Sequence, residues 1–433
     1  MAYRGSALFT TNRKGEGCIF GLKQRPKCAA AKMKRFLAIT MYLAMLLALA
    51  TCASASQEGK LVIWADGTRA PVLEELGKEF TAKYKVPVEV QELGFGDIRD
   101  QLGVAGPAGK GPDIIVGAHD WLGELVTNGL IEPIDLQAKQ KDFIKVSIDA
   151  FTWGNTLYGV PYAVEAVGLF YHKKLVPTPP KTWDDLVAIC KRLTDKDRKQ
   201  YGFLLPIPDP YHTFPIMSAA GGYVFGDNKD GTLNPLDVGL NNAGAVRGLS
   251  LLDKLVEDGL MPGSMDYNTM MGLFKDGKAG MMITGPWALG DLRDAKVPYG
   301  FATIPKIDGK DPRPFVGVQG FMISSFSKNK MLSKAFLNEY VATTDTMLAL
   351  FNKDPRPPAY GPAAKAVSSD PDVAATGASA AAGVPMPAIP EMSAVWTAWS
   401  DAIDLTLTQK LDPKTALDDA TAQIIATIKA SKK

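Results

Sequence analysis

The earliest regular pattern in the chain is a short apolar run, Leu61-Val62-Ile63-Trp64, followed by apolar positions at helical spacing: Leu73, Leu76, Phe80 and Tyr84. Two further runs follow, Val86 to Val90 and Asp113-Ile114-Ile115-Val116. Strand, helix, strand, helix, strand predicts an α/β domain with a mostly parallel sheet. In such sheets ligands gather beyond the carboxyl ends of the strands. The segments found there are Asp66-Gly67-Thr68-Arg69 and Gly117-Ala118-His119-Asp120-Trp121, both polar or aromatic. Farther on, PYAVEAVGLFY (161–171) is an apolar run broken by a single acid, Glu165. Thr182 and Asp185 stand in capping-box relation at the start of a predicted helix, which opens a second α/β unit. Residues 242–258 predict an amphipathic helix with Val246, Leu249, Leu252, Leu255 and Val256 inward, and 374–383 reads as helix or flexible loop.

Composition changes this picture at one end only. The chain has 433 residues, 46% hydrophobic and 22% charged, the profile of a globular protein of two or more domains. Its net charge of +2 hides an asymmetry: residues 1–55 carry nine Lys or Arg against one Glu, which leaves the body at −6. A mildly acidic body without a basic run excludes a nucleic-acid partner. From Met33 the chain reads MKRFLAITMYLAMLLALATCASASQ, a charged start, an apolar run and an Ala53-Ser54-Ala55 exit, which predicts a secretory signal cleaved after position 55. The competing reading is a membrane anchor. Residues 1–32 fit neither signal nor domain and point to translation starting at Met33. Leu49-Ala50-Thr51-Cys52 resembles a lipoprotein box, with Thr51 unfavourable to it. Beyond it only Cys190 remains, in LVAICKRL, so no internal disulfide is available and a buried thiol is expected.

Several chemistries find no support. The loop Val104-Ala105-Gly106-Pro107-Ala108-Gly109-Lys110-Gly111 lacks the first glycine and the metal-binding hydroxyl of a phosphate loop. His119, His172 and His212 have no zinc-site spacing, and no G-x-S-x-G elbow occurs. No cofactor or metal is expected. Carboxylate pairs such as Glu165 with Asp209 remain open for a hydrolase. The stretch TGPWALG sets Trp287 on a Gly-Pro turn, away from any strand interior.

Taken in order, GKLVIW, GPDIIVGAHD, PYAVEAVGLFYHK, PPKTWDDL, DPYHTFP, DVGLNNAGA, ITGPWAL, RPFVGV and MPAIPEMSAVW, spread from about Glu58 to Ile428, resemble the maltose/maltodextrin-binding proteins of bacterial ABC importers. The resemblance implies an α/β fold of two lobes with a ligand cleft and hinge segments between them. Its lobes would be 58–163 with 319–366, and 164–318 with 367–433. It implies no catalysis: a monomer would close over a maltose-class oligosaccharide and present it to inner-membrane permease subunits. Sugar-stacking aromatics of the family fall on Tyr267, Trp287 and Trp396, and hydroxyl-binding groups on Asp66, Arg69, Asp120, Glu165 and Asp209, with Tyr211 beside the last. The physics agrees, since a sugar presents C–H faces to flat rings and a rim of hydroxyls to carboxylates. Departures occur at Gly117, where an aromatic is usual, and at Trp121, which replaces an arginine. Thr397 and Ser400 replace two polar contacts, and Trp399 is new. Maltose, longer maltodextrins, trehalose and sucrose therefore all stay open. Asp66 and Asp120 have helix capping as an alternative role, while Glu165 inside an apolar run requires a partner or a cleft. The rival from another class is a secreted glycoside hydrolase using Glu165 with Asp209 or Asp120; a binder of a non-carbohydrate solute is a third reading.

Overall fold

A computed structural model describes residues 59–431 of the chain. The signal, the cleavage site and Cys52 lie outside the described residues. Among the described residues no helix is long and apolar enough to cross a membrane.

The predicted first unit is present. Strand Leu61–Ala65 pairs in parallel with Val88–Glu92 and Ile114–Ala118, with helices Ala70–Tyr84 and Phe95–Ala105 between them. All five residues of Leu61–Ala65 are buried, as a strand covered on both faces must be. Helix Ala70–Tyr84 turns Val72, Leu73, Leu76 and Phe80 inward, each worth about 1.5–3 kcal/mol when fully buried, and ends where Lys85 takes φ +62°. Trp64 is buried and its indole N–H donates to Gln91 Oε1 at 2.8 Å.

What read as one interrupted apolar run is two strands in different sheets. Gly159–Glu165 belongs to the first sheet and Gly168–His172 to the second, with only the buried Ala166 and Val167 between them. The second sheet runs in the order Tyr299–Ala302, Gly168–His172, Ala279–Thr284, Tyr201–Leu204. The chain then returns: Phe315–Ile323 inserts antiparallel between Ile114–Ala118 and Gly159–Glu165 and also pairs with Val384–Pro385. That late strand makes the first sheet mixed rather than parallel. Two mixed sheets, each packed against helices and joined by crossing strands, make an α/β architecture consistent with a two-lobed binding-protein fold.

Helix Trp183–Leu193 begins with the predicted capping box: the Asp185 N–H donates to Thr182 Oγ1 at 3.2 Å, and the Thr182 N–H donates to Asp185 Oδ2 at 3.0 Å. Its inner face carries Trp183, Leu186 and Cys190, and burial pushes the Cys190 thiol up to about 12. Residues left open between helix and loop form helix Pro371–Ala382. Helix Ala243–Glu257 buries Ala245, Gly248, Leu249, Leu252 and Leu255, leaving Val246 and Val256 at the rim. The stripe is rotated because small residues let this helix approach Pro210–Ala219 closely.

Candidate binding site

A cavity of about 510 Å³ opens where the carboxyl ends of strands from both sheets meet. From the first sheet come Asp66, just past Leu61–Ala65; Asp120 and Trp121, on a 3₁₀ turn after Ile114–Ala118; and Glu165, the last residue of its strand. From the other side come Asp209, Tyr211 and His212 at the start of helix Pro210–Ala219, Tyr267 opening Tyr267–Lys275, and Trp287 on a 3₁₀ turn after Ala279–Thr284. Trp396 opens helix Trp396–Leu407. Ten of the eleven residues singled out in the sequence thus line one space.

The eleventh does not. Trp399 is fully buried and packs on Phe214, Phe315 and Trp396, so the expected ligand contact is corrected to a core role. One helical turn beyond Trp396, its ring stacks beneath that indole at 6.4 Å and 10° instead of facing the cavity.

The charged groups are mostly matched within the protein. Arg69 Nη1 pairs with Asp66 Oδ2 at 2.7 Å and its Nε donates to the Tyr162 hydroxyl at 2.5 Å. Asp66 also accepts the Arg69 backbone N–H at 3.2 Å, so it holds the turn ahead of helix Ala70–Tyr84 while facing the cavity. Both Glu165 oxygens are engaged: Oε1 accepts from Gln319 Nε2 at 2.7 Å and Oε2 from Arg356 Nη1 at 2.6 Å. Arg356 in turn holds buried Asp354 at 2.7 Å, which explains how an acid survives in an apolar run. Asp209 caps its helix by accepting the His212 N–H at 3.2 Å, and its other oxygen lies 2.9 Å from His212 Nδ1. Burial alone would raise the Asp209 carboxyl, but the adjacent His212 ring and the hydrogen bonds the carboxyl accepts outweigh it and hold it below its usual range.

Asp120 differs. It makes no ion pair and caps no helix, and burial pushes its carboxyl up to about 7 despite Arg99. The preceding residue, His119, is buried: its Nδ1 accepts the Val318 N–H at 3.1 Å and its Nε2 lies 3.1 Å from the Met386 carbonyl oxygen. Those partners assign the neutral ring with its proton on Nε2, and burial lowers the ring to about 4. The Tyr211 hydroxyl is buried without a hydrogen-bond partner in the protein.

The aromatic wall is built on glycine. Trp287 is half-buried, near Tyr211 and His212 at 6.0 and 5.7 Å, and the Arg356 guanidinium lies 5.6 Å from its ring centre. A side chain at Gly285 would begin 2.1 Å from Trp287 Cζ3, so the indole rests on bare backbone. The two neighbouring departures noted in the sequence prove to be coupled in the same way. A Cβ at Gly117 would fall 2.0 Å from Trp121 Cζ3, so the glycine leaves room for the new tryptophan. Sequence reasoning missed Phe95, Arg99, His212, Gln319, Arg356 and Met386, which also line the cavity. Gln319 alone carried a signal, as a polar residue in the nine-residue apolar strand Phe315–Ile323.

A cavity where the ends of two α/β sheets meet, lined by tryptophan, tyrosine and carboxylates, defines a solute-binding protein, and the chain belongs to the bacterial extracellular solute-binding protein family, whose pattern matches residues 75–382. It is similar to the galactooligosaccharide-binding protein of Bacillus subtilis, at 34% identity over 87% of this chain and 91% of that protein. The maltotriose-binding protein of Pyrococcus abyssi is 31% identical over 83% of this chain and 79% of its own length. A maltodextrin-binding protein of Bacillus subtilis is 30% identical over 92% and 98%.

Proposed function

We propose that this protein captures an oligosaccharide of the maltose/maltodextrin class, or a related α-glucoside such as trehalose or sucrose, outside the cytoplasm and delivers it to the permease of an ABC importer. The observation that carries the reading is the mixed lining of one cavity, in which the rings of Tyr211, Tyr267, Trp287 and Trp396 stand together with the carboxylates of Asp66, Asp120, Glu165 and Asp209. Flat rings accept C–H faces and carboxylates accept hydroxyls. Ion pairing of most of the charged lining suits a neutral ligand. The relatives' names support sugar capture and leave galactooligosaccharide as the competing ligand. Lobes 58–163 with 319–366 and 164–318 with 367–433 close around the sugar, bending at the Glu165–Gly168 crossing. Export follows from the leader, with release after Ala55 or lipidation at Cys52.

The protein performs no chemistry on its ligand. The near-neutral Asp120 carboxyl favours the hydrolase alternative, because a general acid needs such a value. Against it, both Glu165 oxygens are already held, which leaves that carboxylate poorly placed as a nucleophile. Calorimetric titration with maltose, maltotriose, trehalose, sucrose and galactobiose tests the binding reading. Saturable heat without released monosaccharide supports it; no heat with any of them, or steady glucose release from maltotriose, overturns it.

A further inference from the structure

Phe95 is a large apolar side chain left 36% exposed, and the surface it exposes lines the cavity. The ring is held on two sides. Trp121, itself only 3% exposed, lies 4.7 Å from it between ring centres at 45°, and the Arg69 guanidinium sits 5.1 Å from its centre. Trp121 is fixed in turn by Gly117, a strand residue in register with Gly320 and without positive φ. Its backbone does not require glycine; the indole above it does. Gly117, Trp121 and Phe95 therefore form a stack rising from the first sheet into the cavity. It matches the Gly285–Trp287 arrangement on the opposite wall. A rigid aromatic with two sides buried and the rest facing a cavity is the kind of anchor that dominates binding interfaces.

We propose that Phe95 is a ligand-contacting, specificity-determining residue of the first-sheet wall, packing against the C–H face of a pyranose ring, with Trp121 and Gly117 as its support. The inference rests on the oligosaccharide-binding reading above. The stack accounts for the paired departure at Gly117 and Trp121: the wall keeps an aromatic face, carried by a different residue.

The test is titration of maltose, maltotriose, trehalose and galactobiose into the parent protein and the variants Phe95→Ala, Phe95→Tyr, Gly117→Ala and the double Phe95→Ala/Gly117→Ala, each with a thermal melt. Because Phe95 is part-exposed, Phe95→Ala melts close to the parent while affinity for the best ligand falls about tenfold or more. Phe95→Tyr, which keeps a ring face, recovers most of the loss. Gly117→Ala displaces Trp121 and weakens binding in the same direction, and the double variant binds no worse than the weaker single one. Parent-like affinity in Phe95→Ala overturns the proposal, and strictly additive losses in the double variant overturn the stack. If Gly117→Ala does not fold, the two Phe95 variants decide alone. A parent that binds none of the four sugars overturns both the functional reading and this inference.

Discussion

Replacing Trp287 by alanine separates a ligand platform from a core plug. The indole is half-buried on its Gly285 seat, touches Tyr211 and His212 at its edges and faces the cavity with the remainder. Removing an aromatic anchor of this kind costs about 2 kcal/mol of binding or more, roughly thirtyfold in Kd. The stability loss stays below the roughly 3–5 kcal/mol of a fully buried aromatic truncation, because part of the ring is already open to the cavity. Trp399→Ala supplies the contrast: that ring is wholly enclosed by Phe214, Phe315 and Trp396, so its loss falls on stability at the full 3–5 kcal/mol or so. The assay is a denaturant or thermal melt of both variants beside a calorimetric titration with the best sugar of the panel. A Trp287→Ala protein that melts far below the parent yet binds with unchanged Kd would refute the reasoning.

Arg356→Ala strands Glu165 and Asp354 as buried carboxylates without their partner and destabilises the protein by about 3–5 kcal/mol, read as a drop in the urea midpoint; parent-like stability would contradict the buried-triad description. Asp120 titrates near 7 in the folded protein against an ordinary value near 3.8, so the folded state keeps a proton that the unfolded chain loses; its contribution is full below about 4 and fades as pH rises through 7. Sugar hydroxyls donating to the carboxylate favour its charged form, so binding at pH 6 releases a proton and affinity climbs with pH up to about 7. Calorimetry in buffers of different ionisation enthalpy measures that proton, and Asp120→Asn abolishes its release. Closure at the Glu165–Gly168 crossing reduces the radius of gyration on saturation with sugar, and small-angle scattering that shows no change would dismiss the closing motion.

The first three strands were legible because period and burial agree locally, and Asp66, Asp120 and Trp287 were legible because polar or aromatic residues at strand ends have few local uses. Glu165 announced itself as an acid in an apolar run, but its explanation did not. Its partners Gln319 and Arg356 lie 154 and 191 residues away along the chain, and no local pattern links them. Trp399 misled for a related reason: it sits one turn from a cavity residue, and only the packing of Phe214 and Phe315 decides which of the two rings reaches the opening. Phe95 was hidden at the first residue of its helix, where the apolar stripe does not yet fix a direction.

The late strand Phe315–Ile323 also sets the order in which the molecule can become itself. Ile114–Ala118 and Gly159–Glu165 do not pair with each other; both pair with that strand. A nascent chain that has emerged as far as residue 300 therefore holds two unclosed edges and a Glu165 carboxylate with neither Gln319 nor Arg356 to meet it. Pairings of such long sequence separation form slowly. The first sheet therefore cannot lock until nearly three quarters of the polypeptide is available, and the part of the binding wall that Glu165 and Gln319 share forms only then.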